Sequence, residues 1–289
     1  MSTEGVEADL SFDTALRAGP LEGSFEADIS DRWWIVTGPN GGLLAALLLR
    51  AVQRHVGAQR PELAPRILTV QFLAGPRVGP VELQVTVDKD GRRVCFASVV
   101  MIQGGRTLCQ AKVTLIAPLG EEVQGFDLRD HRMPPAPAPQ FCPLMAPEVT
   151  YGNARRRWQR RHVDIGRLGS VSGWLRLDPP VLIDAAVLAL MCDNLPPSLR
   201  DHYAKAGDDD LAERTHTTTI ELTVYFRRAE LGLDPTDECL VVLQSASVTD
   251  GLHQEEGEVW SAEGALLATS RQLALVFRRP ASSTSSNES

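Results

Sequence analysis

The sequence predicts an α+β fold of two tandem halves, each an antiparallel sheet wrapped around a central apolar helix. Three observations predict it. Two strongly apolar helical segments, residues 43–56 and 183–195, stand far apart in the chain, and the first is apolar nearly all round up to Leu49. A helix with no wide polar face has to be enclosed on several sides rather than laid on a surface. Each helix is followed by strand-like segments separated by glycine turns, which is the pattern of hairpins. Finally, the order of elements repeats along the chain, as two copies of one domain-sized unit rather than as short solenoid turns.

The elements run as follows. A strand at 23–29 leads into a turn-rich stretch ending in Gly38-Pro39-Asn40-Gly41-Gly42, and the first helix opens directly after it. Strands at 68–73, 81–89, 94–103 and 106–116 come next, with turns at Lys89-Asp90-Gly91 and Gly104-Gly105. Together they outline a hotdog, a sheet curled round one buried helix. Residues 118–168 lose the periodicity, carry Pro134, Pro135, Pro137 and Pro139, and read as a linker with a solvated basic run from Arg155 to Arg161. A strand at 173–177 and the helix-start signal Pro179-Pro180 open the second copy, whose helix ends at Pro196-Pro197. Strands at 217–227, 238–249, 253–261 and 266–277 follow, with turns at Asp250-Gly251 and Glu263-Gly264. The chain thus divides into an N-terminal segment (1–22), a first half (23–117), a linker (118–168), a second half (169–279) and a polar, disordered tail (280–289). Residue by residue, Gly105-Arg106-Thr107-Leu108-Cys109 resembles Gly264-Ala265-Leu266-Leu267-Ala268, and Val70-Gln71-Phe72 resembles Val224-Tyr225-Phe226.

Composition narrows the function. With a formal charge of -8 over 289 residues and a pI near 5.3, the surface repels a phosphate backbone, which excludes a general nucleic-acid binder. The acidic start lacks the basic and apolar regions of a signal peptide. The longest apolar stretch is broken by Arg50 and is too short to span a bilayer, so no membrane span is expected. Cys95, Cys109, Cys142, Cys192 and Cys239 are scattered without CxxC spacing. They read as buried, reduced thiols of a cytoplasmic protein, with no structural zinc.

Phe25-Glu26-Ala27, the 38–42 turn before an apolar helix, and the second-half strand pattern resemble the TesB-type acyl-CoA thioesterases (acyl-CoA thioesterase II), which are double hotdogs. The resemblance spans 24–278 and implies an acyl-CoA substrate, no cofactor or metal, and a homodimer or homotetramer. It also implies that an aspartate, a threonine or serine, and a glutamine hold the attacking water. The matching positions are Asp193, Thr219 and Gln272. One departure stands out: where the family continues into Asp-His, this chain has Glu221-Leu222.

This set suits hydrolysis of a thioester, whose carbonyl is already electrophilic and mainly needs a deprotonated water beside it. Asp193, deep on an apolar helix, would be made basic by desolvation, while Thr219 and Gln272 offer neutral hydrogen bonds. The backbone N–H groups at the helix start, where Gly41 and Gly42 permit close approach, would supply an oxyanion hole, with Gly42 the better candidate. No GxSxG elbow is present to place a serine nucleophile. The competing carboxylate, Asp184, lies nine residues before Asp193, about half a turn out of phase, and reads as a first-turn acid favoured by the helix dipole. Alternation also leaves Thr217 open as the hydroxyl in place of Thr219. For the phosphates of CoA, Arg227 and Arg228 at a strand end are one candidate pair and the Arg155–Arg161 run another; Trp33, Trp34 and Phe72 could line an acyl tunnel. Aligning the repeats sets Val113 opposite Gln272 and Pro65 opposite Thr219, so one active site per chain is expected. Two rivals remain: a noncatalytic acyl-CoA-binding protein, favoured by the altered Asp-His pair, and a hydratase. The hydratase needs a histidine beside a carboxylate, and the six histidines lack that setting.

Overall fold

In the computed structural model, residues 14–35, 38–118, 132–146 and 152–278 are described. The first half contributes β1 (Arg17–Ala18), β2 (Ser24–Ile29), α1 (Gly41–Gly57), β3 (Ala64–Phe72), β4 (Gly79–Asp90), β5 (Val94–Gln103) and β6 (Arg106–Ile116). The second contributes β7 (Trp158–His162), β8 (Ser170–Leu177), α2 (Ala185–Met191), α3 (Ser198–Lys205), α4 (Asp209–Arg214), β9 (Thr215–Phe226), β10 (Cys239–Thr249), β11 (Leu252–Trp260) and β12 (Leu266–Arg278). All the strands form one antiparallel sheet in the order β1-β2-β4-β5-β6-β3-β9-β12-β11-β10-β8-β7. That order reads the same from both ends: β2, β4, β5, β6, β3 mirror β8, β10, β11, β12, β9. The duplication seen in the sequence is therefore a pseudo-twofold, and its axis passes between β3 and β9.

The registers make the correspondence exact at the residue level. Across the seam Thr69 faces Thr223, and their hydroxyls are 3.0 Å apart. Leu68 pairs with Val113 on β6, as Leu222 pairs with Gln272 on β12. Both halves carry the same irregularity, a bulge between Pro65 and Ile67 and another between Glu221 and Thr219. Each bulge reverses which face the next residues present. Plain alternation from the buried Leu222 would turn Ile220 inward; the bulge turns Thr219 inward instead, paired with the buried Ala274.

The core lies on the concave face. On α1, Leu43, Leu44, Leu47, Leu48 and Leu49 are all buried, which is why a helix apolar nearly all round is stable there. Truncating one of these leucines to alanine costs about 2–5 kcal/mol. The Asn40 side chain caps α1 by accepting from Leu43 N at 3.2 Å. Helices α1 and α2 pack against each other so closely that a Cβ on Gly42 would lie 2.8 Å from the Leu190 carbonyl oxygen. Only glycine fits there. An ion pair of 3.0 Å between Arg50 and Asp184 also joins the halves.

Several expectations need correction. The second helix runs over Ala185–Met191 rather than 183–195, because Asp184 is its N-cap, accepting from Val187 N at 3.0 Å. Asp193 consequently sits in the turn beyond the helix, not on it. The stretch read as linker is built where it is described: residues 153–157 form a 3-10 turn and β7 pairs with β8. Trp158 is buried edge-on to Trp33, with centroids 6.4 Å apart, and the Arg157 guanidinium sits 5.7 Å from the Trp33 ring. The basic run is thus used in packing, and Arg155 is buried. Helices α3 and α4 had no counterpart in the sequence reading. The expected tail, residues 1–13, 119–131 and 147–151 lie outside the described residues.

Candidate active site

A cavity of about 770 Å³ lies where the two helices meet the second-half sheet. Its wall takes Asn40 and Gly41 from the start of α1, Phe72 from the end of β3, Asp193 from the turn after α2, Thr219 from β9, and Gln272 from β12. Both halves therefore build it.

Asp193 reaches the cavity because α2 stops early. Past the helix the chain tightens, with Asp193 N donating to Leu190 O and Asn194 N to Met191 O, and the side chain swings toward the N-terminus of α1. There Gly42 N donates to Asp193 Oδ2 at 2.9 Å. Asn40 Nδ2 donates to the Asp193 carbonyl at 2.7 Å and lies 3.4 Å from Oδ2. The carboxylate is partly accessible from the cavity but enclosed by protein. Its pKa is pushed up to about 7, chiefly by burial and with help from the Glu255 carboxylate, against the opposing pull of the Gly42 and Gly41 N–H groups. Near neutral pH the group is split between a base and an acid.

The neutral partners line the same cavity. Thr219 Oγ1 donates to Gln272 Oε1 at 3.0 Å, and Gln272 is buried. Gln272 Nε2 in turn donates to Glu255 Oε2. The bulge on β9 settles the choice left open by alternation in favour of Thr219 as the partner of Gln272, although Thr217 lines the same cavity.

Other sequence candidates fare differently. Gly41 lines the cavity and Gly42 does not. The Gly42 N–H is taken by Asp193, so it holds the carboxylate instead of standing free as an oxyanion donor. Arg227 and Arg228 are not brought to the cavity: they lie past the far end of β9, roughly 25 Å along the strand from Thr219. The cationic side chains on the wall are Arg155, Arg200 and Arg278. Phe72 lines the cavity, whereas Trp33 is fully buried core. Glu221 points to the outer face, where it accepts from the Thr223 hydroxyl, so the altered Asp-His position does not touch the cavity. Sequence reasoning missed Glu255 and Asn40. An asparagine just before an apolar helix is an N-cap signal; Glu255 carried no signal beyond being an acid on the inward parity of β11. Among the described residues no cluster of His, Cys, Asp and Glu suits a metal, and no helix is long and apolar enough to cross a membrane. All five cysteines are buried and unpaired.

Two curled sheets fused edge to edge, each around a central helix, define a double hotdog, and the shared cavity lies at the helix start. The chain belongs to the acyl-CoA thioesterase family: the family's N-terminal domain matches residues 30–117 and its C-terminal domain residues 127–276. It is 27% identical to an uncharacterized protein of Mycobacterium tuberculosis, over 92% of this chain and 98% of that one. Among solved structures it resembles a hot dog-fold protein of unknown function from Alicyclobacillus acidocaldarius, at 26% identity and a TM-score of 0.79, covering 94% of this chain and 98% of that one. The acyl-CoA thioesterase II TesB2 of Mycobacterium marinum shares the fold at 20% identity and a TM-score of 0.73, over 93% and 98% of the two chains.

Proposed function

We propose that this protein hydrolyses fatty acyl-CoA to a free fatty acid and CoA, using a water activated by Asp193. The observation that carries the reading is a single cavity lined both by a carboxylate with a pKa of about 7 and by a hydrogen-bonded threonine–glutamine pair. In this reading the Thr219–Gln272 pair orients a water, Asp193 takes one of its protons, and the oxygen attacks the thioester carbon. The tetrahedral intermediate then collapses, the C–S bond breaks, and the proton on Asp193 passes to the CoA sulfur. No covalent enzyme intermediate is required. Arg155, Arg200 and Arg278 supply positive charge for the phosphates of CoA and for the developing oxyanion. The N-terminus of α1 serves the base: its N–H groups fix the Asp193 rotamer while leaving Oδ1 for the water.

The test is release of free CoA, followed with a thiol reagent, from acyl-CoAs of short, medium and long chain. Turnover that disappears in Asp193→Asn, with acyl-CoA binding retained, supports the reading. Tight binding by the wild-type protein without turnover would replace it with the noncatalytic acyl-CoA-binding alternative, which the occupied Gly42 N–H favours.

A further inference from the structure

Glu255 lies directly across from Gln272 in the β11–β12 register and from Ser245 in the β10–β11 register. It is 1% exposed. A buried carboxylate is costly unless donors fill its oxygens, and here they do. Oε1 accepts from the Ser198 N–H at 2.7 Å and from the Ser198 hydroxyl, and Oε2 accepts from Gln272 Nε2. Behind it, Ser198 Oγ meets Ser245 Oγ at 2.9 Å, and Ser245 Oγ meets His253 Nε2 at 2.9 Å. The chain of polar groups thus runs from the cavity to the start of α3.

We infer that Glu255 is a positioning residue for the hydrolysis, fixing the Gln272 carboxamide and thereby the direction of the hydrogen bond that Thr219 makes with the attacking water. A glutamine amide can sit either way round, and only its neighbours decide. An acceptor such as a carboxylate demands the Nε2 side, so Oε1 must face Thr219. The threonine hydroxyl then gives its proton to Oε1 and shows only lone pairs to the cavity. A water bound there donates one proton to Thr219 and the other to Asp193, which leaves its own lone pair free for the carbonyl carbon. If the amide turned over, its N–H would meet the threonine instead, the hydroxyl would point outward, and it would occupy the lone pair that has to attack. The first half provides the comparison: there Ala97 faces Val113, in the positions that Glu255 and Gln272 hold in the second. The carboxylate occurs only beside the glutamine.

This inference rests on Asp193 being the base. The other charged and titratable groups around the cavity are Arg155, Asp193, Arg200, His216 and Arg278, with His253 beyond Glu255 on β11. The experiment compares kcat, KM and the pH profile of Glu255→Gln, Glu255→Asp and wild type, with thermal melting to follow the fold. Glu255→Gln lets the amide turn over and removes one negative neighbour from Asp193. Its kcat falls roughly ten- to a hundredfold with little change in KM, and the acid limb of the profile moves to lower pH. Glu255→Asp keeps the charge but retreats by a methylene, so kcat falls while the limb stays. Wild-type kcat with an unmoved limb in Glu255→Gln overturns the inference, as does a kcat loss matched by a lower melting temperature with the limb unmoved. If Glu255→Gln does not fold, full kcat in Glu255→Asp overturns it. A fully active Asp193→Asn overturns the underlying reading, whatever the Glu255 variants do.

Discussion

Asp193 combines two properties that pull against each other: it is enclosed by protein, which disfavours its charge, and as the proposed base it must be charged to act. A pKa raised from 3.8 to about 7 has a consequence for stability as well as for rate. In the folded state Asp193 holds its proton across a range where the unfolded chain has released it, so folding stability falls as pH rises from about 4 to about 7. Above that range the full cost is present, at most about 4 kcal/mol and less to the extent that solvent enters the cavity. Asp193→Asn keeps an acceptor for the Gly42 N–H without the charge. It is expected to unfold at a higher temperature than wild type at pH 8, with the difference shrinking toward pH 5; equal melting across that range contradicts an enclosed, ionised carboxylate. On the proposed mechanism the same group governs the rate: kcat/KM should rise through a limb near pH 7 as Asp193 loses its proton, and a profile flat from pH 5 to 8 excludes it as the base.

At the scale of elements, the site depends on the start of α1 and the end of α2 approaching without side chains between them. A Cβ on Gly42 meets backbone, the Leu190 carbonyl, whereas a Cβ on Gly41 would meet Asp193 Oδ2 at 2.9 Å and the Phe72 ring at 3.3 Å. The two substitutions should therefore separate. Gly42→Ala lowers the melting temperature, because the helices must part, by about 1–3 kcal/mol of stability. Gly41→Ala leaves the fold near wild type, since a side chain can yield, and lowers kcat. The strands 94–103 and 106–116 are legible because the turns at Lys89-Asp90-Gly91 and Gly104-Gly105 bound them, and β5 and β6 have those bounds. The sequence overextends the second helix because apolar residues continue on both sides of it, and only the capping role of Asp184 and the tightened turn at Asp193 show where it stops. Helices α3 and α4 are short and polar, so periodicity gave no warning. Asp193, Thr219 and Gln272 came from a resemblance in residue type, and the bulge that turns Thr219 inward has no signature in the sequence. Arg227 and Arg228 miss the cavity because a strand has two ends, and theirs is the one away from Thr219.

The whole molecule is a duplicated unit that kept one polar site. The matched bulges and registers set Pro65 against Thr219, Val113 against Gln272 and Ala97 against Glu255. None of the three first-half residues offers a side-chain hydrogen bond, while that half lends the site Asn40, Gly41, Gly42 and Phe72. A calorimetric titration with a non-hydrolysable acyl-CoA analogue is accordingly expected to find one site per chain, and Val113→Gln should add none; two equal sites would break the assignment. The claim on which the rest depends is that a buried aspartate of the second half, gripped by the helix start of the first, activates water. Single-turnover release of CoA by wild type and Asp193→Asn, at matched saturation with acyl-CoA, addresses it most directly. Release slowed by about 10²-fold or more in the variant is the expected result, and equal release by the two proteins would contradict it.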